Sequence, residues 1–187
     1  MSTPIKNIVV SFDDIYKNND RWEELKKIKE EIPDFKVTLF VITYDDEEYW
    51  NSLKTDWTEL VFHAYEHRGD WKEWSVEDAE KWLSYFNSLG FAKGFKAPGW
   101  HMTENICKAI NNLDFWVCTC KGQKFVFKNS FTTLKQGLNI YDNYVEVWGH
   151  TQDKDFNDKL NKLREYYKSN GGSFKFISEL IKRNENI

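Results

Sequence analysis

Cysteine, proline and glycine are scarce in this 187-residue chain, at three, three and nine residues. Cys107, Cys118 and Cys120 are odd in number and lack Cys-x-x-Cys spacing, which excludes a disulfide scaffold and fits reduced thiols. No low-complexity linker and no repeat interrupts the chain. Positive charge is not in excess either: 26 basic against 30 acidic side chains give a formal charge of −4. A nucleic-acid partner held by phosphate neutralisation is therefore not expected. No apolar run approaches the roughly 20 residues of a membrane helix, so no membrane partner is expected. The start, Met1-Ser-Thr-Pro-Ile-Lys, has no basic-then-apolar leader. The expectation is a cytoplasmic protein, reaching the outside only after lysis or packaging, with no obligate protein partner.

Aromatic residues, in contrast, are plentiful: 9 Trp, 9 Tyr and 14 Phe. Such rings fill a core efficiently and can also stack on sugars. The length suits a single domain spanning 1–187. Along it, two periodicities alternate. Ile8–Phe12, Phe35–Ile42, Leu60–His63, Gly94–Ala97, Phe115–Thr119, Lys124–Phe127 and Tyr144–Trp148 read as short apolar strands. Between them lie helical stretches at 21–28, Asp46–Leu53, 76–89 behind the N-cap Ser75, 104–112 behind Thr103, and Asp155–Lys168. A last apolar stretch runs from Phe174 to Lys182. Strand, loop and helix in this rhythm predict an α/β fold with crossover connections. About seven parallel strands in so short a chain point to a distorted or incomplete (β/α) barrel.

Functional groups in such folds gather beyond the carboxyl ends of strands. There the chain places Asp13-Asp14, His63 with His67, Lys96-Ala97-Pro98-Gly99-Trp100-His101, and Trp148-Gly149-His150-Thr151. All four histidines fall at these ends. Two imidazoles four residues apart plus a carboxylate from another strand suit a three-ligand divalent metal site with room for water. Adjacent acids closing an apolar strand repel one another unless a cation is near.

This ordered set resembles the motifs of the polysaccharide deacetylases, carbohydrate esterase family four, across about Ile8 to Thr151. The resemblance implies a metal-dependent hydrolase that removes N-acetyl, or O-acetyl, groups from a sugar or glycan. It implies Asp14, His63 and His67 as ligands of one divalent metal, Zn2+ foremost, with Co2+ or Ni2+ as alternatives. It implies Asp13 as general base and His150 as general acid. Lys96, Gly99, Trp100 and Trp148 would contact substrate or the oxyanion. Tyr65 and His101 are further candidates for sugar contact. The chain departs from the family at several points. Lys96 stands where arginine is usual, Gly99 replaces a common tyrosine, Ile15 replaces a glycine, and no aspartate is evident to support His150, Asp114 and Asp142 being poor candidates. Two rival readings are a degenerate, non-catalytic glycan-binding domain and an amidohydrolase acting on a non-sugar substrate.

Overall fold

A computed structural model describes residues 6–44 and 47–181. Among the described residues nine strands form one sheet: β1 (Asn7–Ile15), β2 (Val37–Ile42), β3 (Thr58–Ala64), β4 (Gly94–Phe95), β5 (Trp116–Cys120), β6 (Asn129–Thr133), β7 (Gly137–Ile140), β8 (Tyr144–His150) and β9 (Ser173–Lys175). The helices are α1 (Trp22–Glu31), α2 (Glu47–Ser52), α3 (Val76–Ser88), α4 (Glu104–Asn112), α5 (Phe156–Asn170) and α6 (Ile177–Leu180). Strand order is β6-β5-β4-β3-β2-β1-β8-β7. Every pairing is parallel except β7 with β8. One side of β1 pairs with β8 from Asn7 to Asp13; its other side takes β9 over Asn7–Val9 and β2 from Ser11 onward. The sheet curls into a half-barrel whose two ends, β6 and β7, do not pair with each other. No helix of the described residues is long and apolar enough to cross a membrane.

Alternation along the strands sorts the side chains into two layers, because successive Cβ atoms point to opposite faces. Ile8, Val10 and Phe12 of β1, Val37, Leu39 and Val41 of β2, and Leu60 and Phe62 of β3 join the large core beneath the helices. On the other face Val9, Phe40, Val61, Trp116, Cys118 and Phe131 form a smaller cluster inside the curl. The inward positions between and above them are polar and buried: Ser11, Asp13, Thr38, Glu59, His63, Lys96 and Glu146. A sheet buried on both faces that spends its inner positions on charge is arranged around chemistry rather than packing alone.

The helices follow their local signals. Ser75 accepts from the Asp78 N–H in a reciprocal capping box, and Thr103 caps α4 by accepting from Ile106. Phe156, Leu160 and Leu163 put one stripe of α5 against the sheet, where Phe156 meets Phe12 at 4.6 Å between ring centres. The sequence reading needs correction in one region. Lys124–Phe127 is not a strand; it is loop, with Val126 exposed, and the ladder with β5 is made by Asn129–Thr133 instead. β6 buries Asn129, Phe131 and Thr133 and exposes Ser130 and Thr132, so polar side chains on its inner face hide the alternation. The short edge strand β7 was likewise unforeseen. The predicted helix beginning at Asp46 starts at Glu47, Asp46 itself lying outside the described residues, as does Lys182 at the end of the last apolar stretch.

Candidate metal centre

The carboxyl end of β1 solves a geometric problem. Regular alternation would send neighbouring Asp13 and Asp14 to opposite faces of the sheet. The β1–β2 register instead slips between Phe12 and Ile15, and Asp14 takes φ 61°, a left-handed conformation that aspartate tolerates better than most residues. Next to this bulge, the loop after β8 clamps its backbone. The Thr151 hydroxyl donates to the Asp14 carbonyl at 3.1 Å, the Thr151 N–H donates to the Asp13 carbonyl at 3.3 Å, and Asn19 donates to both Thr151 Oγ1 and the Asp14 carbonyl.

Asp14, His63 and His67 come together as the sequence predicts. Their candidate ligand atoms all lie within 4.8 Å of one another. Asp14 Oδ1 sits 3.4 Å from His63 Nε2 and 3.3 Å from His67 Nε2. Asp14 Oδ2 accepts from the Gln152 amide at 2.6 Å, but Oδ1 is buried with no hydrogen-bond partner. An orphaned buried carboxylate oxygen between two imidazole nitrogens is what a cation would satisfy. His63 Nδ1 lies 2.6 Å from the Lys96 carbonyl oxygen. A carbonyl only accepts, so Nδ1 carries the proton and Nε2 keeps its lone pair for a ligand. The donor set of two imidazoles and a carboxylate therefore fits a divalent metal on chemistry as well as on position.

A second cluster adjoins the first. Lys96 Nζ donates to Asp13 Oδ1 at 2.7 Å and pairs with Oδ2 at 2.7 Å, with both side chains almost wholly buried. Three rings enclose the ammonium: Phe40 at 4.8 Å and Trp100 and Trp148 at 4.4 Å each. Lysine lacks the planar fork of arginine, but here it spans the carboxylate alone. His150 Nε2 is 3.7 Å from Asp13 Oδ2. Trp148 is buried and meets Trp100 edge to face at 5.6 Å. Trp100 adopts φ 62° after Gly99 at φ 58°, and a bulky residue held at positive φ is uncommon. Its N–H is spent on the Ala97 carbonyl at 3.1 Å.

Behind His150 lie residues that sequence reasoning missed. Asp153 Oδ2 accepts from the His150 N–H at 2.8 Å and from Lys159 at 3.0 Å, while Oδ1 is 3.7 Å from His150 Nδ1. The Gln136 amide is 2.8 Å from His150 Nδ1. By turning over, that amide can donate to a neutral ring or accept from a protonated one. Lys159 is itself buried between Asp153 and Asp155. Gly149 makes room for this arrangement, since a Cβ there would meet Lys159 Cε at 2.8 Å and Asp153 Oδ2 at 2.9 Å. Asp153 was detectable only as the third residue past His150 in a polar loop. Neither Asp114 nor Asp142 contributes: Asp114 accepts from Asn129 instead. His101 is exposed, and its carbonyl accepts from the Trp71 indole. Tyr65 packs on Trp82 at 5.5 Å rather than on the metal cluster. Burial pushes the Cys118 thiol up to about 12, so it is inert.

Neither a protein-family model nor a curated protein matches the sequence. Solved structures do match across most of its length. The family 4 carbohydrate esterase domain of a multidomain xylanase from the hindgut metagenome of Trinervitermes trinervoides is 18% identical with a TM-score of 0.63, covering 94% of this chain and 89% of that one. A family 4 acetyl xylan esterase from Clostridium thermocellum, solved with a cobalt ion, is 13% identical with a TM-score of 0.64, covering 94% and 90%. A family 4 pseudoenzyme from Bacillus anthracis is 14% identical with a TM-score of 0.63, covering 95% and 66%. The chain thus has the fold of the family 4 carbohydrate esterases and polysaccharide deacetylases, a fold that carries both enzymes and a pseudoenzyme.

Proposed function

We propose that the chain is a metal-dependent deacetylase acting on an acetylated glycan. The observation that carries this reading is the orphaned Asp14 Oδ1 between two imidazole Nε2 atoms, beside an independent Asp13–Lys96–His150 cluster. Asp14, His63 and His67 would hold one divalent ion, and a donor set of two imidazoles and a carboxylate suits zinc foremost. When bound there, such an ion supplies Lewis acidity, polarising an acetyl carbonyl and acidifying water.

The chain's own residues do the rest. Asp13 takes the proton from the attacking water; Lys96 keeps its carboxylate aimed, because the ammonium is fixed in its ring cage beside it. With the Trp100 N–H spent on the Ala97 carbonyl, the Gly99 N–H is the backbone donor assigned to the developing oxyanion, a contribution worth about 3–4 kcal/mol in a well-formed site. His150, held by Asp153 and Gln136, gives a proton to the leaving amine or alcohol. Trp148, sunk against Lys96, shapes the base, while Trp100 borders the substrate.

Acetate release from acetylated xylo- and chito-oligosaccharides in the presence of zinc tests this. Asp13→Asn should keep its metal and lose at least about 100-fold in kcat. A rate within about tenfold of the unaltered chain would remove Asp13 from the reaction. Glycan binding without any acetate release would favour the non-catalytic reading, which the pseudoenzyme of the same fold makes concrete.

A further inference from the structure

The curl of the sheet ends in a seam. β6 and β7 are joined by Leu134, Lys135 and Gln136 alone, yet no backbone ladder forms between them. A connection that short ordinarily closes a hairpin. Side chains span the seam instead. Phe131 of β6 meets Tyr144 of β8 at 5.6 Å between ring centres, and Tyr144 stacks on Tyr141 at 4.5 Å. Glu146, two residues along the same face of β8 from Tyr144, is 1% exposed. Its Oε2 accepts from the Tyr141 hydroxyl at 3.0 Å, while Oε1 is buried without a hydrogen-bond partner. The Thr133 hydroxyl and the Leu134 N–H face it from the β6 side, and that hydroxyl is unpartnered too.

The seam matters because of what hangs on it. Gln136, the last residue of the connection, lies with its amide 2.8 Å from His150 Nδ1. His150 is four residues beyond Glu146 on β8, on the same face. One buried carboxyl therefore borders both the strand that carries His150 and the connection that carries its partner. Its surroundings disfavour charge. Tyr141 and Tyr144 of the β7–β8 hairpin and Cys118 of β5 are the titratable groups around it; burial first of all holds each above its ordinary range, so they stay neutral. Among the described residues Lys96 is the one cation that faces it, and its ammonium is already paired with Asp13. The register neighbours Val9 of β1 and Asn139 of β7 carry no charge. Burial accordingly holds the Glu146 carboxyl up at about 6, against 4.5 for an ordinary glutamate. An ionised Glu146 needs water, and the unpaired edges of β6 and β7 are where the sheet can admit it.

We propose that Glu146 is a positioning residue for His150: uncharged, it latches the β6–β7 seam and keeps Gln136 against the ring, and ionised, it loosens both. The inference rests on the deacetylase reading for the role of His150 and deepens it, adding control of that site by a proton bound outside it. With a parted seam returning Glu146 to its ordinary value, the closed-to-open ratio falls about eightfold between pH 5 and pH 8.

Hydrogen exchange of the zinc-loaded protein at those two pH values tests it, read by mass spectrometry over residues 131–137 and normalised to β2 and to intrinsic rates. Protection of that segment should fall at least about fivefold in the unaltered chain and stay level within about twofold in Glu146→Gln, which keeps the shape without the titration. No fall in the unaltered chain, or an equal fall in the variant, overturns the proposal. Turnover of acetylated oligosaccharide reads the coupling to His150. The ratio of kcat at pH 8 to kcat at pH 6 should be at least about twofold higher in Glu146→Gln than in the unaltered chain, with KM unchanged. In a Gln136→Ala background the same substitution should leave that ratio where it was. Equal ratios with Gln136 in place, or a difference that survives Gln136→Ala, overturn the positioning role. Absence of acetate release alongside Glu146-dependent protection would defeat the deacetylase reading and leave the latch standing.

Discussion

Replacing Lys96 by methionine isolates its buried pair with Asp13. Methionine approximates the length of the lysine stem and would sit among Phe40, Trp100 and Trp148 without a clash, so cavity formation is minor. What changes is Asp13. Its carboxylate, at 3% exposure, loses the hydrogen bond and the ion pair made by Nζ, and His150 at 3.7 Å is too far to replace them. Removing one partner of a fully buried pair costs about 3–5 kcal/mol, because the other is left uncompensated. For a domain of this size each kcal/mol moves the melting temperature by about 2–4 °C. Thermal unfolding followed by circular dichroism should therefore show Lys96→Met melting about 6–20 °C lower. The double variant Asp13→Asn/Lys96→Met should melt above the Lys96→Met single, since it buries no unpaired charge. A Lys96→Met melting point within 2 °C of the unaltered protein, or a double variant below the single, would refute the buried pair and with it the means by which Asp13 is aimed.

Two further outcomes follow from buried groups elsewhere in the half-barrel. Burial pushes the Glu146 carboxyl up to about 6, only partly offset by the nearby Thr133 hydroxyl, which forms no hydrogen bond of normal geometry, by the Tyr141 hydroxyl at 3.0 Å and by Lys96. The folded state then holds its proton more tightly than the unfolded chain, so this group's contribution is fully present below about pH 4.5 and is lost as pH rises through about 6. Glu146→Gln should stabilise the protein by up to about 2 kcal/mol at pH 8 and leave it unchanged at pH 4; urea unfolding at both values checks this, and equal shifts at both would contradict it. Gly149→Ala should cost about 1–3 kcal/mol by overpacking against Lys159 and Asp153, and it should weaken His150 function as well; an unchanged urea midpoint would show that the Lys159–Asp153 pair does not sit where the structure puts it.

The residues proposed to carry the chemistry were visible in the sequence because they end apolar strands: Phe12 before Asp13-Asp14, Phe62 before His63, Phe95 before Lys96 and Trp148 before His150. Periodicity located those strands, and parallel topology brought their ends together. The bulge at Asp14 was not legible, since no residue preference marks a left-handed aspartate within an apolar strand. Nor were Gln136, Gln152 and Asp153, polar loop residues whose meaning depends on contacts 14 to 138 residues away or on a single turn of loop. The ring cage around Lys96 draws on Phe40, Trp100 and Trp148 from three separate segments, and composition alone could not tell these rings from core packing. The misplaced strand at Lys124–Phe127 has the same origin, an apolar pattern spent on a loop that buries Phe127 and packs Phe125 part-way against the core while Val126 is exposed.

Metal stoichiometry tests the central claim most directly. The purified protein, stripped with chelator and dialysed against zinc, should retain one equivalent by elemental mass spectrometry, and Asp14→Ala, His63→Ala and His67→Ala should each retain less than a tenth of that. Full occupancy in all three variants, or none in the unaltered chain, would contradict a cation held between β1 and β3 by one carboxylate and two imidazoles.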